Sequence, residues 1–288
     1  MNNIATQQPV EVIGEQPNIG RILLETGKIR AEDVDRILRM QKEQGLRFGD
    51  AAVKLGLVTE DDIHHALSQQ FDYSRLPADS VAVDQEVVAA FRPHDPEVEA
   101  LRVLRSQIAL RWYAEHKLMV ITAPSAGQGA SRIAANLAVV FSQLGERTLL
   151  IDADLRNPRQ HKLFRLQSSP GLSDILAGRA SAKIIQSIHG LTNLYVLPAG
   201  TEPPNPLELL VRPALSGLIN DVGEQFDIIL IDTPPALECA DAQTLSARIG
   251  GALIVARRHH ARIDDIEEVK QQLAIAGAEA VGAVLTDF

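Results

Sequence analysis

The stretch from Ile121 to Asp154, I-T-A-P-S-A-G-Q-G-A-S-R-I-A-A-N-L-A-V-V-F-S-Q-L-G-E-R-T-L-L-I-D-A-D, decides how the rest of the chain is read. An apolar run, Leu118 to Thr122, leads into a turn of small residues, Ala123 to Gly129. Ser131 opens a helical pattern, and Thr148 to Asp152 is a second apolar run ending in acid. Strand, small-residue loop, helix and strand in that order put backbone N–H groups and a helix N-terminus where a nucleotide's phosphates are held. Gly127, Gln128, Gly129, Ala130, Ser131 and Arg132 are therefore the candidate nucleotide-binding residues. The usual phosphate loop begins with glycine and ends Gly-Lys-Ser/Thr. Here Pro124 stands at the first position and Ala130 at the lysine, so a methyl group replaces the cation that reaches the β- and γ-phosphates.

The acids beyond the loop set the chemistry. In L-L-I-D-A-D-L-R, alternation places Asp152 at the carboxyl end of a buried parallel strand and Asp154 just past it, where α/β sheets put ligands. A second apolar strand, Ile228 to Ile231, ends in Asp232 and runs on into Thr233-Pro234-Pro235. One strand ending in aspartate is ordinary. Two of them behind one glycine loop suit Mg²⁺ bridging phosphates, so ATP and Mg²⁺ are the expected ligands, with Ser131, Asp152 and Asp232 at the metal. Apolar runs at Leu194 to Leu197, Ala252 to Ala256 and Val281 to Leu285 alternate with helical segments, giving at least six parallel strands. The fold class expected is α/β, a P-loop doubly wound and mostly parallel sheet, preceded by a small all-α domain. His259 and His260 follow one strand without spaced partner ligands and read as surface residues.

The whole chain limits the alternatives. Its 288 residues suggest two units, and 45% hydrophobic with 23% charged content is enough to build a core. A net charge of -9 argues against a broad nucleic-acid face. A single cysteine, Cys239, excludes an internal disulfide and points to the cytoplasm. No apolar run approaches ~18 residues and no secretory signal opens the chain, so membrane attachment is expected only through a partner.

Residues 1–16 are polar and aperiodic, and are expected to be flexible. Two 24-residue units then follow, 18–41 and 47–70, with five residues between them. Asn18, Gly20, Gly27 and Gln41 in the first match Arg47, Gly49, Gly56 and Gln70 in the second, with apolar residues at identical offsets. Each unit reads as a short helix ended by a glycine, a turn, and an acid-rich start to a longer helix. The expected domains are 17–72, helical; 73–96, a linker containing Pro77 and Pro93; and 97–288, the α/β unit. A helix starts near Pro96 and carries Glu99, Arg102 and Arg105 at i, i+3, i+6.

Two resemblances sharpen this. Residues 18–70 resemble the N-terminal domain of type II secretion and type IV pilus assembly ATPases. In a subset of those domains, paired motifs with a five-residue spacer bind cyclic di-GMP, which implicates the eight matched residues above. That pattern opens with Arg-Leu-Gly; here the copies open Asn18-Ile19-Gly20 and Arg47-Phe48-Gly49. Residues 95–288 resemble bacterial tyrosine kinases of exopolysaccharide clusters, the chain-length-determinant type. The carrying motifs are Glu99-x-x-Arg102-x-x-Arg105, the loop Pro124 to Ser131, I-D-A-D-L-R at 151–156, P-P-N-P-L-E-L-L at 203–210, I-L-I-D-T-P-P at 229–235, and Asp241-Ala242.

The second resemblance implies that Glu99, Arg102 and Arg105 pack subunits into a homo-oligomeric ring. It also implies that Asp152 and Asp154 order Mg²⁺ and help deprotonate a tyrosine, that Asp232 completes the metal site, and that a membrane polysaccharide co-polymerase is the partner. The location implied is cytoplasmic, peripheral to the inner membrane. Such kinases carry a tyrosine-rich tail. This sequence has only Tyr73, Tyr113 and Tyr195 and ends Thr286-Asp287-Phe288, so no tail phosphorylation is expected and Tyr73 is the most reachable acceptor. A working kinase and a nucleotide-binding scaffold of low turnover both fit. A MinD/ParA-like positioning ATPase fits less well, because Pro124 and Ser125 stand where that group needs an early lysine.

Overall fold

The computed structural model describes residues 19–60, 62–63, 66 and 74–287, and its contacts divide the chain between Tyr73 and Ser74. Asn18, Gln70 and Tyr73 lie outside the described residues.

In the first unit, helices Ile19–Glu25, Ala31–Gln44 and Phe48–Lys54 surround an apolar cluster that includes Ile22, Leu23, Ile37, Ala51 and Ala52. The sequence repeat is repeated in the backbone. Gly27 and Gly56 occupy the same repeat position and take φ of +69° and +68°, a left-handed turn that a side chain would strain. Asp33 accepts the Arg30 N–H at 3.0 Å and Asp62 the Thr59 N–H at 2.9 Å, so one repeat position closes the backbone three residues back in both copies.

The second unit is built on seven strands: β1 Leu118–Thr122, β2 Thr148–Asp152, β3 Gln186–Ser187, β4 Leu194–Leu197, β5 Ile228–Asp232, β6 Gly251–Arg257 and β7 Glu279–Thr286. Their order is β3-β4-β2-β5-β1-β6-β7. All ladders are parallel except the short one between β3 and β4. This is the mostly parallel α/β sheet expected, with one two-residue edge strand too short to carry a pattern.

The two-residue period of a strand explains where the acids go. Leu150 of β2 and Leu230 of β5 are register partners in the core on one face, while Leu149, Ile151, Ile229 and Ile231 serve the core on the other. Two residues on from Leu150 and Leu230 stand Asp152 and Asp232, themselves register partners and both 0% exposed. Both side chains therefore leave the sheet toward the face covered by the helix Ala130–Ser142, which the phosphate loop feeds. Every residue of that helix from Ile133 to Ser142 is buried. A helix apolar on all sides needs cover beyond the sheet it lies on.

Part of that cover comes from residues expected to be a linker. Leu76, Val83 and the short helix Val88–Phe91 pack into the same core, and Asn136 Oδ1 accepts the Ala89 N–H at 2.9 Å. Residues 74–95 are thus a strap belonging to the α/β unit, with Val88–Phe91 as its short helix. The helix Pro96–Arg111 begins as expected, with Asp95 Oδ1 accepting the Glu97 N–H at 3.0 Å. Its three motif residues do not share one solvated face. Arg102 pairs with Glu99 at 2.9 Å, but Arg105 turns inward and donates to the Val140 carbonyl at 2.7 Å. Tyr113 is turned inward too, its hydroxyl donating to the Ile229 carbonyl at 3.2 Å. Among the described residues no helix is long and apolar enough to cross a membrane.

Candidate nucleotide and metal site

The loop between β1 and the helix Ala130–Ser142 turns on Gly127 (φ +78°) and Gly129 (φ +91°), the latter capping the helix. It is tied on both sides. Thr233 N–H and Oγ1 donate to the Ile121 carbonyl at 3.1 and 3.0 Å, and Thr122 Oγ1 donates to Pro234 O at 3.1 Å. These bonds clamp the ends of β1 and β5 together.

Gln128 is buried, and its side chain faces the protein. Its Oε1 accepts the Arg257 N–H at 2.6 Å and its Nε2 donates to Ser125 Oγ at 2.9 Å. Expected as a nucleotide contact, Gln128 has a side chain that braces the loop. Arg132 departs similarly: its guanidinium is 2.8 Å from Glu97, so it is engaged away from the position that Ala130 leaves bare. A cavity of about 780 Å³ opens over the loop, within the range of small-ligand sites, and Gly127, Ala130, Ser131, Asp154 and Glu238 help line it.

Beneath the loop, Gln160 holds the two strand-end carboxylates. Its backbone N–H donates to Asp152 Oδ2 at 2.9 Å, and its side-chain Nε2 donates to Asp232 Oδ2 at 2.7 Å and to the Ser131 carbonyl at 3.0 Å. The residue is 0% exposed. Asp152 also receives the Arg159 and Asp154 N–H groups, at 3.1 and 3.2 Å. Asp154 accepts N–H bonds from Asn157 at 2.8 Å and Arg156 at 3.1 Å, which point its carboxylate to the rim of the cavity.

Burial, with repulsion from Asp232, pushes Asp152 well above the ordinary carboxylate value. Burial raises Asp154 as well. Asp232 is pushed up to about 7, again by burial, against the opposing hydrogen bonds from Gln160 and Ser131. Adjacent buried carboxylates of raised pKa call for a compensating cation.

The donor set fits Mg²⁺. Asp232 Oδ1 is buried with no hydrogen-bond partner, an open acceptor on one of two adjacent buried carboxyl groups. Among the described residues no three His, Cys, Asp or Glu side chains could enclose an ion by themselves. That suits a cation completing its shell with phosphate oxygens and water.

Other predicted residues fall elsewhere. His259 and His260 are exposed. Arg47 and Gly49 line a separate cavity of about 540 Å³ in the helical unit, with Ile19, Phe48, Asp50 and Glu60. Gly20, Gln41, Gly27 and Gly56 do not line it, the last two lying in exposed turns. Sequence reading missed Gln160, Arg159 and Arg257. Gln160 carried one faint signal: a polar residue eight positions past Asp152, in the connection that leaves the strand end.

A phosphate loop clamped to one of two adjacent acid-tipped parallel strands defines a P-loop nucleotide-binding protein without the loop lysine. Residues 116–257 match the AAA domain family profile. The chain is 34% identical over 204 residues to the tyrosine-protein kinase YwqD of Bacillus subtilis, covering 70% of this chain and 86% of that one. It is 36% identical over 243 residues to EpsB of Ralstonia solanacearum, covering 80% of this chain but 32% of EpsB. It thus spans about a third of the length of that relative. The solved kinase domain of the Escherichia coli tyrosine kinase ETK superposes with a TM-score of 0.68 at 31% identity, covering 74% of this chain and 81% of that one. The chain belongs to the bacterial tyrosine-protein kinases.

Proposed function

We propose that this protein binds Mg²⁺·ATP and phosphorylates tyrosine in an exopolysaccharide chain-length system, at the cytoplasmic face of the inner membrane, with a membrane co-polymerase as partner. The observation that carries the reading is the meeting of Asp152 and Asp232 as register partners beneath the loop. Phosphoryl transfer requires alignment and charge neutralisation more than covalent chemistry. In this reading, loop N–H groups from Gly127 to Ser131 hold the phosphates, and Ser131, Asp152 and Asp232 hold Mg²⁺. Asp154, at the cavity rim, accepts the proton of the incoming tyrosine hydroxyl. Bound Mg²⁺ would neutralise charge on the transferring phosphoryl group. Gln160 fixes the spacing of the two carboxylates. Glu99 and Arg102 join copies of the chain, while Arg105 holds their helix in place.

Incubation of purified protein with labelled ATP, Mg²⁺ and a tyrosine-containing polymer tests the reading. Phosphotyrosine should form and should vanish in Asp152→Ala. Tight ATP binding without any label would favour a second reading, a nucleotide-gated scaffold, which the methyl group of Ala130 and the engagement of Arg132 with Glu97 support.

For the helical unit, cyclic di-GMP is the effector proposed. An arginine can stack on a base or fork onto a phosphate, and Arg47 beside Phe48 and Gly49 at the smaller cavity supports this choice. Calorimetry on the full chain should give micromolar binding that Arg47→Ala removes. Heat that is unchanged in Arg47→Ala, or absent in the parent, would contradict it.

A further inference from the structure

We propose that Arg257 supplies the phosphates with the positive charge that Ala130 withholds. The inference rests on the nucleotide reading above and deepens it. Four arginines line the cavity over the loop, and three of them face carboxylates. Arg132 pairs with Glu97 at 2.8 Å, Arg159 with Glu86 at 2.9 Å, and Arg92 with Asp95 at 3.6 Å. Arg257 has no carboxylate partner among the described residues. Asp84, Glu86, Asp154 and Glu238 line the same cavity and match its four arginines in number, so the lining holds no cationic surplus for an incoming triphosphate.

The backbone of Arg257 is fixed against the loop. It is the last residue of β6, the strand that pairs with β1, which feeds the loop. Gln128 Oε1 accepts its N–H at 2.6 Å, and Thr286 Oγ1 at the end of β7 donates to the Gln128 carbonyl at 3.3 Å. An arginine anchored beside the loop offers a planar fork suited to phosphate oxygens, and it approaches from the neighbouring strand where lysine would come from the helix start. The cation moves from the loop to β6, and the loop keeps only its N–H groups.

The test measures affinities of ATP, ADP and adenosine for the full chain by calorimetry with Mg²⁺ present. Arg257→Ala and Arg257→Gln should each weaken ATP and ADP by about 10- to 100-fold while leaving adenosine within a few-fold. Arg257→Lys should retain most of the affinity. Ala130→Lys placed in the Arg257→Ala background should restore it, because the charge returns by the other route. Melting curves matching the parent would show that the variants fold. Parental ATP affinity in Arg257→Ala and Arg257→Gln would overturn the proposal, as would an equal loss for ATP and adenosine, which would place Arg257 on the nucleoside. Failure of the parent itself to bind ATP would instead refute the nucleotide reading on which the proposal stands.

Discussion

Asp232→Asn is expected to abolish the Mg²⁺ dependence of nucleotide binding and, at the same time, to raise the melting temperature of the metal-free protein at pH 8. The two effects share one cause. Burial lifts Asp232 from 3.8 to about 7, partly offset by hydrogen bonds from Gln160 and Ser131. Between about pH 4 and pH 7 the native state therefore keeps a proton that the unfolded chain has released. Stability without metal should fall as the pH rises through that window. Asparagine has nearly the same shape and no charge to desolvate. The variant's melting temperature should lie a few degrees above the parent's at pH 8, about 2–4 °C for each kcal/mol recovered. Its slope with pH should also be shallower, with Asp152 left to contribute the remainder. Mg²⁺·ATP affinity should drop on the order of 100-fold. Thermal melts from pH 5 to pH 8, with and without Mg²⁺·ATP, check both parts. A variant that melts below the parent at pH 8 and still binds Mg²⁺·ATP tightly would show that Asp232 is a structural acid only.

Ala130→Lys is expected to raise tyrosine phosphorylation by roughly 100-fold, the scale on which a group stabilising developing charge in the transition state acts. Ala130 is the first residue of its helix, partly exposed, packed against the core on one side and lining the cavity on the other. A lysine stem there would run along the cavity wall and end among the phosphates, aided by the positive end of the helix. Arg132 does not already fill that role, because Glu97 holds it. If Arg257 supplies part of the missing charge, the gain should be smaller in the parent than in Arg257→Ala. The initial rate of label transfer to a tyrosine polymer measures both. No gain in either background would place the limit on turnover somewhere other than the lost ammonium.

What the sequence disclosed and what it hid follow from range. Two apolar runs ending in Asp152 and Asp232 put carboxylates at the carboxyl ends of two strands, while their common face follows only from the register of β2 against β5. The left-handed glycines Gly27 and Gly56 were equally legible, being the residues that end one helix and permit the next. The strap of residues 74–95 was not. Leu76, Val83 and Val87 are scattered apolar positions in a segment whose Pro77, Pro93 and polar residues read as a linker. They are buried because the helix Ala130–Ser142 is apolar on every side and recruits cover from a distant segment. Its run from Ile133 to Phe141 was visible as a clue to that need. Arg105 shows the converse. Its spacing from Glu99 and Arg102 is regular, but a free carbonyl at Val140 draws it inward. Gln160, Arg159 and Arg257 gain their roles only when separate strand ends meet, and no local pattern encodes that meeting.

Paired calorimetric titrations of the full chain with a non-hydrolysable ATP analogue, one in Mg²⁺ and one in EDTA, bear most directly on the convergence of β2 and β5 upon one metal-nucleotide pocket. The analogue should bind markedly tighter with Mg²⁺, and that advantage should disappear in Asp152→Ala and Asp232→Asn alike. Equal affinity in both buffers, or an Mg²⁺ advantage that survives both substitutions, would contradict it.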